Sequence, residues 1–237
     1  MKPISILSIV LTLIAVNAVG CGSQASRPQK DPRHDLARRY GMTSFDQVEI
    51  LRFTFNAQVG TKTVRRTWIW KPRANTVTAA AANERPTVTF THPPGSGQID
   101  DGIRKLDAQF VNDIYWLLFP LHLVWDTTAT VEDRGRTPRP MGDGQARRIV
   151  VSYPPEGGYT PGDVYELFID DDGLIAEWIY RRGGATTPTR MSTWEDHRRL
   201  GPLLVSLDHQ GPDGFRVWFS DVALMLRNGE DWLYPAN

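Results

Sequence analysis

The stretch 165-YELFIDDDGLIAEWIY-180 is the clearest indication of the fold in this sequence. Apolar and aromatic residues fill both flanks, and residues 170–173 between them are three aspartates followed by glycine. This arrangement is typical of a β-hairpin, because aspartate and glycine favour the tight turn that joins two antiparallel strands. The aspartates do not fit an EF-hand calcium loop, since Gly173 at loop position 6 would put Phe168 at position 1, where an acid is required. We therefore predict a structural hairpin with a solvated turn.

Strand patterns continue on both sides of the hairpin. Large apolar residues alternate with polar ones over residues 51–59, a period of two that indicates a half-buried strand. Similar patterns predict strands at residues 64–71, 87–91, 148–153, 190–196, 203–209, 215–220 and 222–226. Residues 73–85 are predicted to be a loop or a frayed turn of helix, and residues 132–146 are predicted to be a loop. Because no strong linker follows residue 35, about nine strands are predicted to form one continuous curved sheet.

One long amphipathic helix interrupts the strands. Its apolar positions recur at helical spacing, at Ile103, Leu106, Phe110, Ile114 and Leu117. Two acids at residues 100–101 can cap its start, and Pro120 is predicted to end it. A shorter helix is predicted at residues 36–40. The predicted fold class is therefore α+β, a curved antiparallel sheet or incomplete β-barrel with a helix covering the concave face.

The composition restricts the classes of function. Among 237 residues, 27 basic side chains balance 27 acidic ones, so the chain has no net positive charge that would attract nucleic acid. Nucleic acid is therefore not expected as a partner. A single cysteine excludes an intrachain disulfide and a multi-thiolate metal site, and the five histidines have no paired metal-ligand spacing. Residues 94–97, PGSG, lack the first glycine of a nucleophile elbow. We therefore predict no metal, no cofactor and no catalytic residues.

The first 35 residues carry targeting signals. Lys2 precedes an apolar run over residues 4–16, which is typical of a signal peptide and shorter than the roughly 20 residues of a membrane-spanning helix. Residues 18–21, AVGC, resemble the bacterial lipobox, so Cys21 is predicted to be acylated, as by palmitate, after removal of residues 1–20. Residues 21–35 would form a lipidated, flexible tether. The single half-barrel domain, residues 36–237, would then face the periplasm from the outer membrane.

The aromatic residues are the most informative group for function, and eight of them are tryptophan. A single helix cannot cover the whole concave face of so broad a sheet, so some of these side chains are predicted to line an apolar cavity under the helix. The candidate cavity residues are Trp68, Trp70, Phe110, Ile114, Leu117 and Trp178. A dry core without a ligand is the alternative, because tryptophan is often simply a large core residue.

Three stretches together carry a family resemblance: residues 110–120, the hairpin at residues 165–180, and TWED at 193–196 followed by GPL at 201–203. They resemble envelope proteins similar to the bacterial lipoprotein carrier and receptor superfamily (LolA/LolB-like), over most of residues 45–226. The resemblance implies an incomplete antiparallel barrel with helices at its mouth and an apolar cavity that accepts acyl chains. It supplies no catalytic residue, and a lipid anchor would place the protein closer to the receptor than to the soluble carrier.

These observations predict a non-catalytic, lipid-anchored periplasmic protein that binds an apolar or acylated ligand. Its partners would be the membrane, through the anchor, and an acyl chain or a lipoprotein; the oligomeric state stays open. A second hypothesis is an envelope scaffold or assembly lipoprotein whose core is filled by its own side chains. An enzyme that modifies envelope lipid is a third. A cavity larger than its side chains fill would favour the binder, whereas polar groups with perturbed pKa values inside it would favour the enzyme.

Overall fold

The computed structural model describes residues 31–80, 87–94 and 99–236, and it confirms the α+β class with antiparallel sheets that do not close. The helices are α1 (Pro32–Arg39) and α2 (Asp101–Trp125). The strands are β1 (Val48–Val59), β2 (Lys62–Lys71), β3 (Thr76–Ala79), β4 (Val88–Thr91), β5 (Thr130–Pro138), β6 (Gln145–Ser152), β7 (Val164–Ile169), β8 (Ile175–Arg181), β9 (Arg190–Thr193), β10 (Glu195–Leu200), β11 (Leu203–Gln210) and β12 (Arg216–Leu226). Short 3-10 helices lie at Met42–Gln47, Pro72–Ala74, Arg182–Gly184 and Pro212–Gly214.

The strands form two sheets rather than the one continuous sheet that the sequence predicted. Seven strands pair in the order β10-β11-β12-β1-β2-β3-β4, and five pair in the order β5-β6-β7-β8-β9. The predicted strand at residues 190–196 is divided at Trp194, where the chain leaves the five-stranded sheet and enters the other. A local alternation of residues cannot show that two halves of a strand pair with different partners. The predicted strands at residues 215–220 and 222–226 are one strand, β12.

Helix α2 packs against both sheets. The ring of Phe110 lies 5.6 Å from that of Trp68 on β2, in the seven-stranded sheet. Farther along the helix, the ring of Trp116 lies 4.5 Å from that of Trp178 on β8, in the five-stranded sheet. Different faces of α2 are therefore covered by different sheets, and every residue from 113 to 121 is buried.

Pro120 does not end α2, contrary to the prediction. The helix continues to Trp125, and the distortion falls at Leu118, whose φ of −124° and ψ of 22° lie outside the helical range. Proline lacks the N–H that would bond the carbonyl four residues back, and its ring crowds that carbonyl. Since both sheets bury this part of the helix, packing offsets the lost hydrogen bond and the helix passes through the proline.

Both predicted loops contain strands. Strand β3 lies within residues 73–85, and most of β5 with the first residues of β6 lies within residues 132–146. Strand β5 is an edge strand with mostly exposed side chains, so it carries charges where an inner strand would carry an apolar face. Its hydrogen bonds to β6 define it, and these cannot be recognised from an alternating pattern within the strand itself.

Helix α1 begins before the short helix that the sequence predicted. The Asp31 carboxylate accepts a hydrogen bond from the Arg33 amide at 3.0 Å and caps the helix. Residues 32–35, predicted to be the end of the tether, therefore belong to α1. The predicted signal peptide and Cys21 lie outside the described residues.

Replacing Gly173 with valine is expected to lower the free energy of unfolding by about 1–2 kcal/mol. Gly173 has a φ of +76°, and the nearest atom to an added Cβ would be 4.0 Å away, so the cost comes from backbone strain rather than from collision. Gly173→Asn is the matched control and should cost less, because asparagine tolerates this conformation. Urea unfolding measures both variants, and a Gly173→Val protein as stable as the wild type would contradict the expectation.

Candidate functional site

A cavity of about 370 Å³ lies between the two sheets, beside α2. Strands β1, β2 and β12 of the seven-stranded sheet contribute lining residues, as do β7, β8 and β9 of the five-stranded sheet. Helix α2, the β6–β7 loop, the connection between β8 and β9, and Phe215 just before β12 contribute the other lining residues. The volume lies within the range of small-molecule binding sites, which makes this cavity the candidate functional site.

Much of the lining is apolar. The apolar lining residues are Phe55, Ala57, Val59, Val64, Ala108, Val111, Trp116, Trp178, Phe215 and Val217. Most of them are buried, whereas Val59 is 46% exposed and Ala108 is also exposed, so these two lie near the opening to solvent. An apolar group that enters past them would lose most of its contact with water.

The cavity runs along one particular face of α2. Its helical lining residues are Ala108, Val111, Asn112, Tyr115 and Trp116, whose spacing of three and four residues places them on the same face. The predicted cavity residues Phe110, Ile114 and Leu117 on this helix do not line the cavity and are buried in the core. The helix therefore forms a side of the cavity, and its most apolar face is used for packing.

Of the six predicted cavity residues, only Trp178 lines the cavity. Trp68 and Trp70 pack on the ring of Phe110, with ring centroids 5.6 and 5.7 Å apart, and Ile114 and Leu117 are buried in the same core cluster. The strongest apolar periodicity marks positions that need close packing, whereas a cavity wall mixes apolar, small and polar side chains. Apolar periodicity therefore does not identify most of the wall. Tyr165 and Tyr180, the first and last residues of the predicted hairpin, both line the cavity.

The polar end of the cavity is built around Asp163. Its carboxylate accepts hydrogen bonds from the Tyr180 hydroxyl at 2.9 Å and from the Gly183 amide at 2.8 Å. Tyr165 stacks on Tyr180 with 5.1 Å between the ring centroids. Burial, assisted by the Asp163 carboxylate, raises the pKa of both tyrosines, so both phenols stay protonated at neutral pH. The Tyr180 hydroxyl already donates its proton to Asp163, whereas the protonated Tyr165 hydroxyl can donate a hydrogen bond to a ligand. Neither protonated phenol is suited to act as a base or nucleophile.

The loop between β6 and β7 is held at the opening by Tyr159. Its hydroxyl donates a hydrogen bond to Asp107 on α2 at 2.5 Å, and the Nδ1 atom of His92 lies 2.6 Å from the other carboxylate oxygen. Tyr159 is nevertheless 46% exposed, so its ring faces both the cavity and the solvent. Three elements distant in sequence thus meet at this carboxylate and position the rim of the cavity.

One wall of the cavity is fixed by a buried ion pair. Arg66 lines the cavity and donates from its Nε to Asp113 of α2 at 2.7 Å. The same carboxylate accepts hydrogen bonds from the Trp68 indole at 2.8 Å and from the Asn112 amide at 3.0 Å. Burial raises the pKa of Asp113, while these hydrogen bonds and the Arg66 charge act in the opposite direction. The signal in the sequence is an acid at the start of the most apolar part of α2, residues 113–121.

Neither a metal centre nor a membrane-spanning helix is evident in the part of the chain that the structure describes. Within residues 31–80, 87–94 and 99–236, no cluster of three or more His, Cys, Asp or Glu side chains could hold a metal ion. Within the same ranges, every helix is too short or too polar to cross a membrane. Among the described residues that line the cavity there is no histidine, cysteine, serine or lysine.

Comparison with known proteins found no matching family model and no matching curated protein. The solved structures that are similar to the chain include the following two. One is a DUF1329 family protein from Desulfovibrio piger, with 12% identity and a TM-score of 0.43, covering 85% of this chain and 95% of the other. The second, from Vibrio parahaemolyticus, is a domain named for outer membrane lipoprotein sorting, with 7% identity and a TM-score of 0.42, covering 82% and 95%. Membership of the lipoprotein carrier and receptor superfamily stays a prediction from the sequence.

Proposed function

We propose that this protein is a lipid-anchored envelope protein that binds one apolar or acylated ligand in the cavity between its two sheets and does not convert it. The observation that carries the proposal is the cavity itself, because close-packed cores leave few voids larger than a water molecule. An apolar chain that enters the cavity would remove further apolar surface from contact with water. This burial would contribute about 25 cal/mol of binding free energy per Å². Attachment to the outer membrane, facing the periplasm, belongs to the same proposal and rests on the lipobox pattern at Cys21.

The volume restricts the ligand to a single chain. A water molecule occupies about 30 Å³ and a methylene group is of similar size, so the cavity of 370 Å³ has room for about 12 such groups. One acyl chain of about 12 carbons fits, whereas the two or three chains of a lipoprotein do not. A lipoprotein ligand would have to insert one chain or widen the cavity.

The lining chemistry supports binding over catalysis. The cavity does contain clustered polar groups with shifted pKa values, which is the feature that would favour a lipid-modifying enzyme. The shifts, however, keep Tyr165 and Tyr180 protonated, and the carboxylate of Asp163 is engaged by Tyr180 and Gly183. Among the described lining residues there is no histidine to activate a hydroxyl or thiol nucleophile. Under the scaffold hypothesis the core would be filled by its own side chains, so the presence of the cavity favours the binding proposal.

Titration of the delipidated protein with dodecanoate, below its micelle concentration, tests the proposal. Tryptophan emission should change saturably, since Trp116 and Trp178 line the cavity, and the affinity should be micromolar because ordering the chain offsets part of the gain. Ala108→Phe should reduce the affinity at least tenfold by filling space near the opening. Arg104→Phe, on an exposed position of the same helix outside the cavity, should leave the affinity unchanged. The absence of saturable binding to the wild type would refute the proposal.

Acylation of Cys21 is tested separately by intact mass spectrometry. The processed wild-type protein from a host with lipoprotein biosynthesis should begin at Cys21 and carry the added mass of two or three acyl chains, enough for stable anchoring. The Cys21→Ser variant should lack this mass and leave the membrane fraction. A wild-type protein that retains residues 1–20, or an unmodified Cys21, would exclude the anchor.

A further inference from the structure

We infer that the cavity selects a single-chain amphiphile with an anionic head group, and that Arg190 on β9 binds this head group. The inference rests on the proposed function and deepens it, because it names the chemical class of the ligand. It is carried by the position and surroundings of one guanidinium group at the boundary between the apolar and polar parts of the lining.

Arg190 is a cation without a carboxylate partner in the described part of the chain. Its guanidinium carbon lies 4.1 Å from the centroid of the Phe215 ring, and both residues line the cavity. Arg66, another lining arginine, is neutralised by the buried Asp113. Stacking on Phe215 holds the Arg190 side chain in place and leaves its N–H donors available.

The charges around Arg190 favour an anion. Asp163 is the acid among the described lining residues, and its oxygens already accept hydrogen bonds from Tyr180 and Gly183. Arg182, also a lining residue, interacts with Tyr180 and Asp163 and adds a second positive charge at the same end. The described lining residues thus include three arginines and one acid, Asp163. The charge of Arg66 is compensated by Asp113, so the remaining charge is positive.

The position of Arg190 matches the shape of an amphiphile. Phe215 and Val217 on the β12 side of the cavity are apolar and buried, so a chain that lies against them can bring its head group to the guanidinium above Phe215. The planar fork of guanidinium donors suits a carboxylate or a phosphate equally well. The shared chemistry is therefore a compact anionic head on one chain of about 12 carbons, from a free fatty acid or from a lysophospholipid.

Isothermal titration calorimetry with four probes that have the same 12-carbon chain tests this inference. The probes are dodecanoate, 12-carbon lysophosphatidylglycerol, dodecanol and dodecyltrimethylammonium. Dodecanol is kept below its solubility limit and the other three below their micelle concentrations. The wild type should bind the anions at least tenfold more tightly than dodecanol, and the cation most weakly. The anionic probe that binds more tightly shows whether the head group comes from a free fatty acid or from a lysophospholipid.

Substitutions of Arg190 then locate the effect. Arg190→Gln should weaken anion binding about 10- to 100-fold, the range for a lost charge-assisted hydrogen bond, and leave dodecanol binding unchanged. Arg190→Lys should retain part of the anion preference, and Arg227→Gln, an exposed arginine outside the cavity, should have no effect. Unchanged dodecanol binding also shows that the Arg190 variants are folded.

The outcomes separate the two proposals. If dodecanol and dodecanoate bind equally well, or Arg190→Gln leaves the anion preference intact, the anionic head-group site is wrong while the apolar cavity proposal stands. If none of the four probes binds the wild type, the proposed function itself fails.

Discussion

Replacing Asp113 with asparagine is expected to lower the free energy of unfolding by about 2–4 kcal/mol, the range for breaking a buried ion pair with one partly exposed partner. Every group around this carboxylate is a donor: Arg66, the Trp68 indole and the Asn112 amide. An asparagine amide would turn its own donors towards some of these groups and would leave the Arg66 charge uncompensated. The change in shape is minimal, so the loss reports electrostatics rather than packing.

Urea unfolding at neutral pH measures this effect, and Asp171→Asn is the matched control. Asp171 forms an ion pair with Arg136 at 2.7 Å, but both side chains are largely exposed. Surface pairs of this kind contribute about 0–1 kcal/mol, so the control should be nearly silent. Equal effects of the two substitutions would show that the buried network does not stabilise the contact between α2 and β2.

His209 is expected to make the protein sensitive to acid. This histidine is completely buried between Trp116, Trp194 and Phe219, and its imidazole faces the backbone of Thr193 and Ser206 without a well-formed hydrogen bond. Burial lowers its pKa from 6.5 to about 3; nearby Asp208 opposes the shift and His197 adds to it.

The sign of the effect follows from the depressed pKa. The unfolded chain binds a proton near pH 6.5 and the folded protein only near pH 3, so stability is complete above pH 6.5 and is lost as the pH falls. The effect is about 1.4 kcal/mol per pH unit below pH 6.5, so His209 should lower the free energy of unfolding of the wild type by about 2–3 kcal/mol at pH 4.5. This loss is a large share of the total free energy of unfolding of a typical domain, which is about 5–15 kcal/mol.

The variant His209→Leu isolates this contribution. It should be about as stable as the wild type at pH 7, because no well-formed hydrogen bond is lost, and more stable than the wild type at pH 4.5. The free energy of unfolding in urea at both pH values gives the comparison, and other titrating groups largely cancel in the difference. His34→Leu, which replaces an exposed histidine on α1, should follow the wild type at both pH values. A wild type and a His209→Leu variant with the same pH profile would contradict the expectation.

The sequence predicted those parts of the fold that depend on neighbouring residues. The alternation at residues 51–59 recurs as β1, the acidic turn joins β7 to β8, and the helical spacing from Ile103 onward recurs as α2. These structures need only local periodicity and turn chemistry, because side-chain direction within a strand or helix follows from backbone geometry. The α+β class follows from the same local information.

The pairing of strands and the position of the cavity were decided by the tertiary structure. Trp194 separates strands of two different sheets, and β5 exists because β6 lies beside it; neither fact is visible in a local pattern. Arg66, the partner of Asp113, is 47 positions away, and Arg190 lies over the ring of Phe215, 25 positions further along the chain and just before β12 of the other sheet. The cavity, the charge compensation and the burial of single residues depend on which distant segments come into contact. Local sequence patterns do not contain this information, because it arises only when the whole chain is folded.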